Sequence, residues 1–331
     1  MEDRKRDHIN LALESQTLKD ELDRRFWYEP LLSAHPKELD SSRFLGKRLR
    51  VPLWVSSMTG GTQLAGTINR NLARACREFG FGMGLGSCRS ILKDSAHFAD
   101  FDMREIIGDD LPFYANLGIS QVEELLESNQ TKMVGDLVKK LRADGLIIHV
   151  NPLQEWFQPE GDRLKKSPIY IIQKFLEHAQ YPVIVKEVGQ GMGPQSILQL
   201  MKLPLAAIEF GAFGGTNFAR VEMMRNPDHN FTELFTSLTN VGVDAGDMLD
   251  AVNHYVSTEK DLLCKEIIIS GGIHNFLDGY YLIKKSKLPA VYGQASSFLK
   301  HSRGDYEQLK QYVQNQIKGL EMAFAYLQIR K

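Results

Sequence analysis

Cysteine is scarce in this 331-residue chain: Cys76, Cys88 and Cys264 are odd in number and far apart, which suits neither a disulfide framework nor a thiolate zinc site. A reducing cytoplasm is the expected setting. Long apolar runs are missing too. No stretch of about 18 apolar residues occurs, and the charged start MEDRKRDHIN has no apolar h-region, so neither a membrane span nor secretion is expected. Charge of one sign is not in excess. Forty basic and 41 acidic side chains leave a net charge of −1, so no global field favours nucleic acid or an anionic membrane, and any anion site must be local. Nucleotide signatures are lacking as well. GAFGGT has no following Lys-Ser or Lys-Thr, and no GxGxxG opens a helix after a strand, which disfavours ATP and a Rossmann-type site.

What is present is patterning. Hydrophobic residues are 43% and charged residues 24%, enough for one sizeable core. Eight short apolar or β-branched runs recur from residue 50 onward: LWVSSM (53–58), MGLGS (83–87), FYANLG (113–118), LIIHVN (146–151), VIVKEVG (183–189), AAIEFG (206–211), EIIISGG (266–272) and AVYGQA (290–295). Segments with apolar residues at i, i+3, i+4 separate them, so the pattern predicts βαβ units with parallel strands. A single-domain α/β (β/α)8 TIM barrel over 51–300 is the expected fold, with a doubly wound open sheet as the competing architecture. Residues 1–50, including the amphipathic stretch HINLALESQTLKDEL, form an N-terminal extension. Residues 305–328 read as a C-terminal helix with a mostly apolar face through Leu309, Tyr312, Val313, Ile317, Leu320, Ala323, Phe324 and Leu327. The segment 213–243 is too long for an ordinary connection and is expected to act as a lid.

In such a barrel the chemistry lies at the C-terminal strand ends. Those ends carry Thr59, Ser87 with Arg89, Asn116, His149 with Asn151, Lys186 with Glu187, Glu209, Ser270 with Gly271 and Gly272, and Ala295 with Ser296. Alternation along LIIHVN places His149 and Asn151 on one side of their strand, and NPLQE continues with Gln154 and Glu155. Each alone is as well explained by a satisfied core histidine or a solvated carboxylate; together at one mouth they suggest a site. The glycine clusters MTGG, GAFGGT and SGGI free backbone N–H groups, the last two where barrels commonly bind phosphate. Lys186 in a buried strand either pairs with a carboxylate such as Glu209, stabilises a reduced flavin at its N1/C2 edge, or forms a Schiff base. Arg4, Lys5, Arg6 and His8 form a cationic cluster that is either a solvated face or a diphosphate grip.

The motifs RKRDHI (4–9), MTGGT (58–62), GSCR (86–89), NLG (116–118), HVNPLQE (149–155), VKEVGQGM (185–192), GGTNFARVE (214–222) and SGGI (270–273) resemble, in order and spacing, the type 2 isopentenyl-diphosphate isomerases. HVNPLQE and the N-terminal RK with DHI are the specific part. The resemblance implies interconversion of isopentenyl and dimethylallyl diphosphate with reduced FMN, Mg2+, and NADPH as reductant, in a homo-oligomer (tetramer or octamer). By position it implies that Arg4, Lys5, His8, Ser87, Arg89, His149, Asn151 and Gln154 hold the substrate, with His149 and Gln154 catalytic and Glu155 at Mg2+. It implies FMN contacts from Met58, Thr59, Gly60, Ser87, Asn116, Lys186, Thr216, Gly271, Gly272, Ala295 and Ser296. The implied mechanism is protonation of the double bond by reduced flavin and loss of an allylic proton through the flavin or Gln154.

The chain departs from the family's usual residues at several places. Glu209 stands where Asp is frequent, Phe213 and Phe218 where a small residue and Trp are usual, Cys88 where Gln is common, and His274 where an Arg would contact the FMN phosphate. His274 also suits a rival reading, an FMN barrel oxidoreductase of the 2-hydroxy-acid oxidase or dehydrogenase kind with a late histidine base. That rival leaves HVNPLQE and the cationic start unexplained. A barrel kept for assembly or ligand binding is the non-enzymatic reading, and Lys186, His149, Gln154 and Glu155 argue against it.

Overall fold

A computed structural model describes residues 2–57 and 59–330, with only the backbone of Glu2 and Asp3; Met58 lies outside the described residues. Eight parallel strands close into a barrel: β1 (Leu53–Val55), β2 (Gly82–Gly84), β3 (Phe113–Gly118), β4 (Gly145–Val150), β5 (Val183–Glu187), β6 (Ala207–Glu209), β7 (Ile267–Ser270) and β8 (Ala290–Gln294). They coincide with the eight expected runs, and β8 closes against β1 through Gly293↔Trp54. The open sheet is thereby set aside. No helix among the described residues is long and apolar enough to cross a membrane.

Register decides which side chains face inward. Opposed residues on neighbouring strands share a face, so the pairings Asn116↔Ile147, Ile147↔Ile184 and Ile184↔Ala207 run one layer around the barrel interior. Two residues further along, His149↔Lys186↔Glu209 run the next layer. The interior is therefore apolar below and polar at the C-terminal mouth. Trp54 fills the lower barrel against Tyr114, edge-on at 6.1 Å, and the absence of a side chain on Gly145 accommodates the Pro182 carbonyl, 2.2 Å from where a Cβ would stand.

Three segments lie outside the barrel proper. The helix Glu2–Leu11 ends earlier than the amphipathic stretch suggests, and Ile9, Leu11, Leu13 and Leu18 remain exposed. Further on, Phe26–Tyr28 pairs antiparallel with Leu327–Ile329, so the last residues of the expected C-terminal helix form a strand instead. The helix itself runs Tyr306–Tyr326; of the expected face it buries Leu309, Val313, Leu320 and Ala323, leaves Tyr312 and Ile317 partly buried, and leaves Phe324 exposed. The long segment after β6 is folded: helices Phe218–Arg225 and His229–Phe235 and a short 3-10 turn, with Ala219 and Met223 packed on Phe157.

Because backbone meets the empty side of Gly145, Gly145→Ala forces a shift in β4 and lowers stability by about 1–3 kcal/mol. Urea unfolding reads this as a lower midpoint at unchanged slope; an unchanged midpoint would show that the barrel wall yields there.

Candidate active site

The polar layer is built on strand ends and the first turns that follow them. Lys186 is buried on β5, and its Nζ donates to the Glu187 carbonyl at 2.8 Å. Glu209, on the neighbouring strand, is fully buried; its Oε1 accepts the Ser270 hydroxyl at 3.2 Å while Oε2 is without a partner. Burial pushes the Glu209 carboxyl up and the Lys186 ammonium pulls it back. The two are cross-strand neighbours, yet no ion pair at 4 Å or less joins them among the described residues, so the direct Lys–Glu pair considered from sequence is replaced by longer-range attraction.

His149 sits beside this ammonium. Burial first, and Lys186 second, hold its imidazole down at about 3, which keeps it neutral at physiological pH although part of the ring reaches the mouth. Its Nδ1 lies 2.8 Å from Asn116 Oδ1, and the Asn116 amide is oriented by donating Nδ2 to the Leu85 carbonyl at 3.0 Å. That orientation requires the proton on Nδ1 and leaves Nε2 as an acceptor.

Asn151 and Gln154 occupy the start of the helix Pro152–Phe157, where the chain leaves β4. Asn151 is buried and its Nδ2 donates to Gln154 Oε1 at 3.1 Å and to Glu155 Oε1 at 3.0 Å. The far end of Gln154 is held as well: Nε2 donates at 3.3 Å to Glu222, which also accepts from Gln158 Nε2 at 2.9 Å and pairs with Arg225 at 3.1 Å. Both ends of the Gln154 amide therefore have a defined partner, and one of them belongs to the lid. Glu155 is buried, and its second oxygen accepts the Asp162 backbone N–H at 3.0 Å. Asp162 in turn pairs with Arg89 at 3.3 Å at the rim, where Ser87 and Arg89 are exposed. Glu222 and Asp162 were not singled out from sequence. Each lay inside a quoted or adjoining segment, but only the folded lid and the 158–165 loop bring them to Gln154 and Glu155.

Across the barrel axis, Lys186, Thr216, Gly271, Gly272, Ala295 and Ser296 line one cleft. Gly272 takes φ +71°, and a Cβ on Gly215 would come within 3.1 Å of its nitrogen, so two bare backbone turns lie face to face. Thr59 and Gly60 follow β1 at the same end, partly exposed, and Asn116 lies beneath His149. This cleft fits a phosphate-bearing flavin: backbone approaches without side chains, Ser56 and Ser57 hydroxyls stand buried without partners beside it, and Lys186 supplies positive charge. His274 also lines it, exposed, with its backbone N–H donated to Asp278 at 3.0 Å.

For a divalent ion the protein offers less. No group of three or more His, Cys, Asp and Glu side chains is gathered among the described residues. A lone buried carboxylate such as Glu155 suits Mg2+ held chiefly by substrate phosphates and water. Arg4, Lys5 and His8 lie exposed on the helix Glu2–Leu11, and no hydrogen bond or ion pair among the described residues ties them to the mouth.

No protein-family model matches the chain. Curated relatives do. The isopentenyl-diphosphate delta-isomerase of Rickettsia felis is 33% identical over 325 residues, spanning 97% of this chain and 91% of that protein. Its counterpart in Rickettsia typhi is 32% identical over 303 residues, 90% of this chain and 85% of that one. Among solved structures, a mandelate oxidase mutant with a monooxide FMN adduct superposes with a TM-score of 0.58 at 12% identity, over 92% of this chain and 88% of that one. Flavocytochrome b2 with sulfite bound gives 0.62 at 13%, over 91% and 72%. At such identities the likeness is one of fold.

Two outcomes follow from the geometry. A His149 held below its unfolded value binds fewer protons in the folded state, so its contribution to stability is present above about 6.5 and is lost as pH falls toward about 3. Denaturation at pH 7 and pH 5 should show wild type losing about 2 kcal/mol more than His149→Asn; equal losses would return the imidazole to an ordinary environment. Glu222→Ala leaves two amide donors and Arg225 without their acceptor and should cost about 1–3 kcal/mol in the same measurement, whereas an unchanged midpoint would detach the lid from Gln154.

Proposed function

Since the chain belongs to the isopentenyl-diphosphate delta-isomerase family, we propose that it interconverts isopentenyl and dimethylallyl diphosphate by the type 2 route. In this reading FMN lies in the glycine-lined cleft, Mg2+ binds at Glu155, NADPH supplies the reducing equivalents, and the protein works as a homo-oligomer, tetramer or octamer. The observation that carries it is the meeting, at one barrel mouth, of a neutral His149, the doubly held Gln154 and a buried Lys186 beside bare backbone turns.

Reduced FMN supplies acid–base chemistry at a carbon–carbon double bond without net oxidation. The chain's own residues do the rest. Arg89 and Ser87 stand at the rim, where a diphosphate would meet charge and hydroxyl, with Arg4, Lys5 and His8 assigned to the same grip. Arg89 exchanges Asp162 for phosphate oxygens, a forked geometry matched to that partner. His149 Nε2 offers the substrate an acceptor, and Asn151, whose Nδ2 is held by Gln154 and Glu155, has its Oδ1 without a partner and gains a free donor only when Glu155 turns to the ion. Gln154, fixed between Asn151 and Glu222, presents its amide for transfer of the allylic proton. Glu155 contributes one carboxylate to the ion that offsets diphosphate charge, releasing Asn151 or the Asp162 N–H as it does so. Lys186 provides fixed positive charge beneath the cleft.

The oxidoreductase reading draws on the fold likeness to hydroxy-acid oxidising barrels. It needs His274 as base, and that side chain is exposed at the start of the helix Phe276–Lys285, with no structural feature marking it as one.

Purified protein should be yellow and, reduced anaerobically with Mg2+, should convert isopentenyl to dimethylallyl diphosphate; a protein that takes up no FMN, or is inert when loaded and reduced, overturns the proposal. Glu155→Gln should raise the Mg2+ concentration for half-maximal rate by about tenfold, of the size expected for one charged ligand. An unmoved Mg2+ dependence would remove Glu155 from the ion site.

A further inference from the structure

The reaction proposed above leaves the largest apolar cavity near the mouth without a use. It encloses about 640 Å³ between the helices Pro168–Leu176 and Pro194–Met201 and the underside of the lid. Ile169, Ile172, Val185, Met192 and Leu200 form its walls and Val243 its roof. That size lies within the ~300–1,000 Å³ of pockets that hold whole drug-sized ligands, and exceeds what a five-carbon chain fills.

Two features say where an occupant must come from and what it is. Asn151 and Gln154 form one wall, and Val188 lines both this cavity and the glycine-lined cleft, so the cavity adjoins the candidate site on two sides. No Lys, Arg or His lines it among the described residues. Its one ionisable side chain, Glu187, has an oxygen already accepting the N–H groups of Gly189, Gln190 and Gly191 at 2.7, 2.7 and 2.8 Å. An anionic head finds no partner inside, whereas a neutral hydrocarbon does. Gln190 holds the chain beside it in place, its Nε2 donating to the carbonyls of Leu238 (3.1 Å) and Val241 (2.6 Å).

We propose that this cavity receives the hydrocarbon of a prenyl diphosphate longer than the substrate, ten carbons or more, whose diphosphate sits at the same rim. The inference rests on the isomerase reading. Such compounds arise when condensing reactions join the five-carbon product into longer chains, so the cavity makes the protein sensitive to the output of those reactions.

The test uses reduced, FMN-loaded protein with Mg2+, and titration calorimetry with isopentenyl and geranyl diphosphate. Geranyl diphosphate should bind about tenfold tighter or better, because its second isoprene unit leaves water, and should inhibit turnover competitively. Ser196→Trp and Ile169→Trp, which place bulk in the cavity from its exposed and half-buried rim, should abolish that advantage and leave isopentenyl turnover within about twofold, consistent with rim positions outside the reacting centre. Geranyl diphosphate binding no tighter than isopentenyl diphosphate overturns the proposal, as does an advantage that survives in both variants. Altered sedimentation of the variants with unchanged geranyl binding assigns the cavity to a subunit contact and overturns it too. If isopentenyl diphosphate is itself neither bound nor converted, the isomerase reading fails first and this inference falls with it.

Discussion

A positive charge in the heart of the barrel organises everything above it. Lys186 stands on an interior strand where an unpaired ammonium is costly, and its surroundings answer that cost without neutralising it: a carbonyl at 2.8 Å, and Glu209 opposite on the next strand. The charge therefore remains available at the mouth. It also adds to the burial that holds His149 neutral, and so an acceptor at Nε2. One buried cation thus reinforces the neutrality of the histidine beside it and sets the polarity of the cleft over it, through register between three adjacent strands.

The second organising relation runs outward from β4. Asn151 anchors both Gln154 and Glu155, while Glu222 reaches down from the lid to the far end of Gln154. An amide free to rotate would present either its oxygen or its nitrogen to a substrate. Partners at both ends remove that ambiguity. The segment after β6 is thus part of the site's geometry, and its packing of Ala219 and Met223 against Phe157 ties the two structures together.

Much of this was legible in the residues alone. The eight strands stand out because fully buried parallel strands are short continuous apolar runs, whereas Asn151, expected from alternation to share a side with His149, lies past the strand end and bonds to Gln154 and Glu155. Glu222 was not legible: it lies mid-helix in a segment without a clear apolar face, and its meaning comes from a contact 68 residues back in the chain. Asp162 was hidden for the same reason, a loop residue whose partner Arg89 belongs to another strand end. The N-terminal stretch 8–22 reads as amphipathic, yet the helix stops at Leu11 and its apolar residues are not buried, because periodicity states a capacity to bury a face and not the presence of a surface to receive it.

The pairing of Phe26–Tyr28 with Leu327–Ile329 joins the two ends of the chain across 300 residues of sequence. Arg330 extends the seam, its side chain donating to the Phe26 carbonyl at 2.9 Å. Phe26–Tyr28 has no strand to pair with until Leu327–Ile329 is in place, whereas most barrel strands pair with the next strand in sequence. The seam is the longest-range strand pairing among the described residues, so its loop-closure cost is the highest in the fold.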